Sequence, residues 1–375
     1  ASYGTDAHIY LPGIGSFSGY TLGNYLESTG NTAATVDNPV GLVLDAGQAV
    51  GAELVGNNEF DDGLAGWTVE PTATDVSVSG GILTITSGPS ANVLVSRTIS
   101  TVVGRTYMVR RIKASGNFLG VYLGSAAGSS VDGGAGFVVS DTEYGFTFVA
   151  ARTTTYCSLV TGGAARTVGI DSVSVKEVPG IHALQGTTAN KPILRKPSNN
   201  YYWEFDGVND ALPLSSVPFS LINDHCVIAG ITTINPESGS VKRIFWAEKA
   251  SPTYRVCCIY TAGGTIQGYW SDGVTPHPVS YAPVVNNESL VFSAQKRGSL
   301  LLGRKNGVQF GSAITHTYSD AIPTNATIGN EVSGGGLFSG NIYPIIAIKG
   351  TVSDDNLLIL ERWVGSLTGP TGVTI

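Results

Sequence analysis

Hydrophobic and polar residues alternate with a period of two along much of this chain. The pattern is clear in GGILTIT (Gly80–Thr86), RTYMVRRIKA (Arg105–Ala114) and GIDSVSVKEV (Gly169–Val178). Successive side chains of a strand point to opposite faces, so this alternation is typical of strands with one buried face. Gly, Asn and Asp clusters separate the segments and indicate turns between antiparallel strands.

Other segments depart from strict alternation. HCVIAGITTI (His225–Ile234) and NIYPIIAIKG (Asn341–Gly350) are almost continuously apolar, which is consistent with fully buried strands.

Near the C-terminus, Ser353 followed by two aspartates predicts a helix start, and the helix should end near Gly365. Its predicted packed stripe contains Leu357, Leu358, Ile359, Leu360 and Trp363.

Composition supports strands over helices. The 375 residues include 49 Gly but one Met, and only 13% are charged. We therefore predict an all-β fold with two β-sandwich or jelly-roll domains and one short C-terminal helix. The net charge of −7 without a basic cluster argues against nucleic acid, and the absence of a long apolar run argues against a membrane span. The four cysteines are predicted to be buried free thiols.

The segment 53–179 resembles the jelly-roll carbohydrate-binding modules. Their opening pattern N-x-x-F-x-x-G-x-x-G-W is matched, with one residue of spacing loose, and their closing strand I-D-x-V-S-V is matched at Ile170–Val175. The opening pattern is filled by Asn58, Phe60, Gly63, Gly66 and Trp67. The resemblance implies that Trp67 is a core residue.

A second resemblance covers the flanking sequence. VDNPVGLVLDAGQ (Val36–Gln48) and HALQGTTANKPILRK (His182–Lys196) are similar to the start of concanavalin-like sandwich proteins of tailed-phage virions, where the two segments are continuous. The resemblance implies that segments 27–52 and 180–375 form one sandwich, that 53–179 is an inserted domain, and that 1–26 is an N-terminal docking arm. Insertion is tolerated where the termini of the inserted domain lie close together.

The aromatic strand YYWEFDGVND (Tyr201–Asp210) is typical of lectin and glucanase sandwiches. Related glucanases carry an E-x-D-x-x-E motif, but here Asn209 stands in place of the last carboxylate. No catalytic residue is therefore predicted. The polar groups of Asp206, Asn209 and Asp210 are interpreted as a turn, with a calcium site as the alternative. No other cofactor is predicted.

Histidines give no catalytic pattern either. The five histidines are scattered, no G-x-S-x-G elbow occurs, and each is interpreted as a surface or packing residue. They are His8, His182, His225, His277 and His316. The candidates for sugar stacking are the aromatic residues Trp270, Tyr269, Tyr122 and Tyr144. Because Tyr269 and Trp270 are adjacent on a strand, at most one of them belongs to the core.

Together these features predict a non-enzymatic protein on the surface of a tailed-phage virion, made in the host cytoplasm. It would be a capsid decoration, head fibre or tail fibre, with other virion proteins as partners and a homotrimer as the expected assembly. The predicted docking residues of the arm are Tyr10, Leu11, Phe17, Tyr20 and Tyr25. The alternatives are a tail protein that binds host surface glycans and, third, a depolymerase.

Overall fold

The computed structural model describes residues 7–12, 15–17, 20–22, 24–25, 34–47, 50–70, 75–88, 93–116, 119–138, 143–161, 165–236, 241–249, 254–272, 275–318, 322–330 and 336–375. The chain divides into two compact units. The split unit comprises Ala1–Ser28, Ala33–Gln48 and Gly180–Ile375, and the insert unit comprises Thr29–Thr32 and Ala49–Pro179. The main segment of the insert unit thus interrupts the split unit close to the predicted domain 53–179.

Strands dominate both units. Before the insert, the split unit contains β1 (Ala7–Tyr10), β2 (Gly15–Phe17), β3 (Tyr20–Leu22), β4 (Asn24–Tyr25) and β5 (Leu42–Val43). The insert unit contains β6 (Thr68–Val69), β7 (Asp75–Ser79), β8 (Ile82–Ser87), β9 (Leu94–Ser100), β10 (Thr106–Ser115), β11 (Leu119–Gly124), β12 (Gly133–Val138), β13 (Glu143–Val149), β14 (Thr154–Val160) and β15 (Arg166–Glu177).

The rest of the chain completes the split unit. Its strands are β16 (Ala183–Leu184), β17 (Ile193–Arg195), β18 (Tyr202–Asp206), β19 (Leu212–Pro213), β20 (His225–Thr233), β21 (Lys242–Lys249), β22 (Tyr254–Ala262), β23 (Thr265–Ser271), β24 (Pro276–Pro283), β25 (Ser289–Arg297), β26 (Leu300–Lys305), β27 (Val308–Gln309), β28 (Ile314–Thr315), β29 (Asn325–Ile328) and β30 (Ser339–Lys349). A 3-10 turn covers Thr188–Asn190, and α1 (Asp354–Ser366) follows β30. The prediction of an all-β fold with one short C-terminal helix is confirmed. Among the described residues, no helix is long and apolar enough to cross a membrane.

Two antiparallel sheets form the sandwich of the split unit. The nine-stranded sheet has the order β17, β18, β30, β20, β25, β26, β27, with β1 also paired to β30 and β28 to β26. The six-stranded sheet has the order β19, β29, β21, β22, β23, β24. Val227 and Phe292 of the first sheet share one core cluster with Phe245 and Ile266 of the second. The core therefore lies between the sheets.

The apolar strand β20 is buried on both faces. Val227 and Ala229 belong to the core between the sheets, whereas Ile228 packs in a second cluster with Leu357 and Val364 of α1. The helix thus covers the outer face of the nine-stranded sheet. This double burial explains why β20 shows no alternation in the sequence.

The helix begins and ends close to the predicted positions, but its buried face differs. Ser353 is the N-cap, and its side chain accepts a hydrogen bond from the backbone N–H of Asn356. Leu357 and Val364 are buried, as is Glu361 between them. Ile359 and Trp363 are exposed, so their assignment to the packed stripe is wrong. Residues 357, 361 and 364 share one helical face, whereas residue 359 lies on another.

The insert unit is also a sandwich. Its five-stranded sheets have the orders β13, β10, β15, β8, β7 and β12, β11, β14, β9, β6, and residues of both form one core. In the opening motif, Phe60 and Trp67 are buried with ring centroids 5.5 Å apart. The indole N–H of Trp67 donates to the backbone carbonyl of Asn57 at 3.3 Å. The interpretation of Trp67 as a core residue is confirmed.

The structure corrects the prediction of a docking arm at residues 7–10, which form a strand of the nine-stranded sheet. Strand β1 pairs with β30, from Ala7 opposite Ile348 to Tyr10 opposite Ile345. Tyr10 is fully buried in the core between the sheets, so it cannot dock a partner while the sheet is intact. Leu11 is half-buried. The backbones of Phe17, Tyr20 and Tyr25 lie in β2, β3 and β4, but their side chains lie outside the described part of the chain.

Candidate functional site

Neighbouring residues of β23 separate into a core residue and a surface residue, as the strand period requires. Trp270 is fully buried, and its Nε1 donates to Nε2 of His225 at 2.9 Å. It cannot stack on a sugar, so Trp270 is wrong as a glycan-binding residue. Tyr269 is half-buried, and its ring stacks on Trp246 with centroids 6.2 Å apart at 16°. Only Tyr269 of the pair stays a candidate.

Tyr269 belongs to a cluster that the sequence did not reveal. We call Arg243, Trp246, Arg255, Tyr260 and Tyr269 the aromatic–arginine cluster. Tyr260 meets Trp246 and Tyr269 edge-on, with centroid distances of 6.2 and 5.9 Å. The guanidinium carbon of Arg243 lies 4.5 Å from the Trp246 ring centroid, and that of Arg255 lies 5.3 Å from it and 5.6 Å from Tyr269. All three distances suit cation–π contact.

Three adjacent strands place this cluster on the outer face of the six-stranded sheet. Trp246 lies on β21, Tyr260 on β22 and Tyr269 on β23. Their sequence neighbours Phe245, Ile259 and Trp270 all belong to the core between the sheets. Trp246, Tyr260 and Tyr269 are not members of that core cluster, so their side chains point away from it.

Hydrogen bonds to neighbouring polar side chains fix two of the rings. Trp246 Nε1 donates to Glu248 Oε2 at 2.8 Å, and the hydroxyl of Tyr260 donates to Gln267 Oε1 at 2.6 Å. Gln267 Nε2 in turn donates to Thr265 Oγ1 at 3.0 Å. Glu248 and Gln267 are each 6% exposed. Trp246 and the half-buried Tyr260 are therefore held in place before any ligand arrives, and Tyr269 packs against both rings.

Register irregularities explain why the cluster escaped sequence analysis. Between β21 and β22 the pairing shifts at Arg243/Phe245 and again at Phe245/Glu248. A bulge of this kind places two residues of one strand opposite one residue of its partner. The two-residue period of a strand therefore does not predict which aromatic residue of RIFWAEK (Arg243–Lys249) faces outward. The only local signal is that arginine and tryptophan occur close together in the segment.

The aromatic candidates of the insert unit do not converge. Tyr122 is half-buried on β11, in the sheet β12, β11, β14, β9, β6. Tyr144 lies on β13 in the other sheet, opposite Arg111 of β10, and its side chain is outside the described part of the chain. The two tyrosines therefore do not form one binding surface on a single sheet.

The segment Asp206–Asp210 forms a tight turn. Asp206 Oδ1 accepts from the backbone N–H groups of Val208 and Asn209 at 2.7 and 3.2 Å, and Asp210 Oδ2 accepts from that of Asp206 at 2.8 Å. Burial raises the pKa of Asp210 to about 6. These carboxylate oxygens stabilise the turn itself. A calcium site at Asp206, Asn209 and Asp210 stays a prediction.

Glu204, the first carboxylate of the incomplete E-x-D-x-x-E motif, forms an ion pair with Arg195. Arg195 Nε donates to Glu204 Oε2 at 2.6 Å, and a second guanidinium nitrogen donates to Asp37 at 2.5 Å. Trp203 and Phe205 of the same strand lie in the core between the sheets. Glu204 therefore belongs to an ion-pair network on the other face of that strand.

No protein-family model matches this chain, and no curated protein matches it. Among solved structures, the binding domain of botulinum neurotoxin serotype D is 10% identical, covers 48% of each chain and has a TM-score of 0.36. A second structure is domain 4 of AbnA, a GH43 extracellular arabinanase from Geobacillus stearothermophilus, in complex with arabinotriose. This domain is 12% identical over 48% of this chain and 83% of that chain, with a TM-score of 0.38. A CBM4 structure is 17% identical over 33% of this chain and 99% of that chain, with a TM-score of 0.27. The chain thus spans about half the length of the neurotoxin binding domain.

Proposed function

We propose that this protein is a non-catalytic carbohydrate-binding protein whose ligand surface is the aromatic–arginine cluster. The supporting observation is the fixed arrangement of Tyr260 and Tyr269 around Trp246, with two guanidinium groups beside them. Sugar rings present C–H faces that pack on aromatic rings, while charged and amide groups bond their hydroxyls. The half-buried tyrosine rings offer the faces, and Arg255 offers the donors.

The charge of the cluster indicates a ligand class. Arg243 and Arg255 place two positive charges beside the rings in a chain whose net charge is −7. Guanidinium groups bind carboxylate and sulfate oxygens through paired, charge-assisted hydrogen bonds. We therefore expect acidic saccharides to bind more tightly than neutral ones of the same size.

The biological setting is proposed from the sequence resemblance. Val36–Gln48 and His182–Lys196 are similar to segments of tailed-phage sandwich proteins, which supports a place on the surface of a virion with other virion proteins as partners. A homotrimer is the proposed assembly because virion sites have fixed symmetry. Within this setting, the aromatic–arginine cluster favours a receptor-binding protein that contacts host glycans over a decoration with no ligand.

The test is a glycan array of neutral and acidic saccharides probed with the wild type and two tyrosine variants. Tyr269→Ala should weaken binding about tenfold or more, because lost stacking costs on the order of 1–2 kcal/mol. Tyr122→Ala, in the insert unit, is the matched control and should bind normally. The proposal fails if the wild type binds no glycan. A loss caused by Tyr122→Ala alone would assign the site to the insert unit, and release of reducing sugar would show a depolymerase.

A further inference from the structure

A separate cluster at one rim of the split unit brings together an aspartate and two histidines. Asp272 follows β23, His277 lies near the start of β24, and His316 follows β28. One ligand atom from each of these residues lies within 4.8 Å of the others. In the described part of the chain, this is the one group of three His, Cys, Asp or Glu residues whose ligand atoms lie close enough to share a metal ion.

The three residues come from both sheets of the sandwich. Strands β23 and β24 are neighbours in the six-stranded sheet, whereas β28 pairs with β26 of the nine-stranded sheet. The backbone N–H of His316 donates to the carbonyl of Ser299 at 2.8 Å, which fixes the position of this histidine. A ligand held by all three side chains would therefore connect the two sheets at this rim.

The side chains converge on one point. The rings of His277 and His316 have centroids 3.9 Å apart, and His316 Nε2 lies 3.6 Å from Asp272 Oδ2. Asp272 Oδ1 accepts from the backbone N–H of Thr275 at 2.8 Å, which orients the carboxylate. Nε2 of His277 is buried and has no hydrogen-bond partner among the described residues. A buried nitrogen without a partner is costly unless something binds it.

Tyr318 closes the inner side of this cluster. Its ring meets His316 and His277 edge-on, with centroids 4.4 and 5.8 Å away. Tyr318 is 6% exposed and belongs to the core between the sheets, whereas His316 and Asp272 are about a quarter exposed. The cluster thus has an apolar floor and an open side through which an ion can enter.

Burial and two neighbouring groups act on the imidazole of His277. Burial, together with the neighbouring His316, lowers the pKa of His277, and Asp272 opposes this shift. Two protonated imidazoles at this distance would repel each other.

We infer that Asp272, His277 and His316 bind one transition-metal dication, best matched by zinc, and that the ion joins the two sheets of the split unit. Two imidazoles and one carboxylate form a donor set that suits zinc, cobalt or nickel, whereas calcium prefers oxygen ligands alone. Zinc binds such ligands at about 2.0–2.2 Å, so the side chains need only small rotations to reach one ion. Water or a further ligand would complete the coordination.

The experiment uses the full chain without a histidine tag, freed of metal by a chelator. Zinc titration by calorimetry should show one ion per chain, and cobalt should give the visible absorption bands of a site with nitrogen ligands. Zinc should also raise the melting temperature, because an ion that binds only the folded state stabilises it. Calcium at the same concentration should give no binding heat and should leave the melting temperature unchanged.

Two variants and one control decide the assignment. Asp272→Asn and His316→Gln should each weaken zinc binding at least tenfold and alter the cobalt spectrum, because both remove a ligand. Asp355→Asn, an exposed aspartate at the start of α1, should bind zinc as the wild type does. The inference is overturned if the wild type binds no zinc, or if both ligand variants keep the wild-type affinity and spectrum. Asp272 is part-exposed, so its variant is expected to fold.

Discussion

Trp270 and His225 form a hydrogen bond across the core that fixes the protonation state of a fully buried histidine. The indole N–H of Trp270 donates to Nε2 of His225, while Nδ1 of His225 lies 2.7 Å from the carbonyl oxygen of Asn223. A carbonyl can only accept, so Nδ1 carries the proton and the ring is neutral. The ring also stacks on Phe219 with centroids 4.4 Å apart. Burial lowers the pKa of His225 to about 3.

This shift predicts a loss of stability in acid. In the unfolded chain the pKa of His225 returns to its ordinary value of 6.5, so between pH 6.5 and about 3 the unfolded state binds a proton that the folded state does not. The contribution is complete above pH 6.5 and is lost as the pH falls, by roughly 1.4 kcal/mol per pH unit. Urea unfolding of the wild type and His225→Gln from pH 7 to pH 4 measures it. Equal pH dependence in both proteins would contradict the prediction.

Tyr10 gives a matched pair of substitutions that test whether β1 belongs to the core. Tyr10 is fully buried, and its hydroxyl has no hydrogen-bond partner among the described residues. Tyr10→Ala should lower the free energy of unfolding by about 3–5 kcal/mol, because it leaves a large cavity. Tyr10→Phe should be neutral or stabilising, because it removes an unpaired buried hydroxyl. If Tyr10→Ala unfolds at the wild-type denaturant concentration, β1 is not part of the sheet in solution.

A buried ion pair under the helix is a second test of packing. Glu361 is 1% exposed and accepts from Ser293 Oγ at 2.6 Å, while Arg304 lies 3.1 Å from its other oxygen. Glu361→Ala should destabilise the protein by about 3–5 kcal/mol, because it leaves the guanidinium of Arg304 without its carboxylate partner. Ile359→Ala, on the exposed face of the same helix, should change stability by less than about 0.5 kcal/mol. Chemical denaturation compares the two, and similar losses would mean that the helix packs through another face.

Three cysteines in the described part of the chain should be unreactive in the folded protein. Cys157, Cys226 and Cys258 are free and buried. Burial raises the pKa of Cys157 to about 12 and also raises those of Cys226 and Cys258. Since the thiolate is the reactive form, iodoacetamide at pH 8 should leave these three thiols unmodified until urea is added. Peptide mass spectrometry gives the result, and rapid native labelling of Cys258 would contradict the buried placement.

Several elements were predictable because their causes are local. The N-cap at Ser353 depends on a side chain and a backbone N–H three residues apart, and the alternation in β8 and β15 reports which face is buried. The burial of Cys157, Cys226 and Cys258 and the core position of Trp67 were also predicted correctly. The exposure of Ile359 was not predicted, because a run of four apolar residues does not indicate which face of a helix packs against the protein.

By itself, the sequence determined the class of fold, the strands β8, β10, β15, β18, β20 and β30, the short helix and the rule that at most one of Tyr269 and Trp270 belongs to the core. Only the tertiary structure decided that Tyr269 meets Trp246, and that His277 meets His316 from the other sheet. The physical reason is the range of the interactions. Period and capping act between residues a few positions apart, whereas register shifts such as that at Phe245 and the packing of two sheets bring together side chains far apart in the chain.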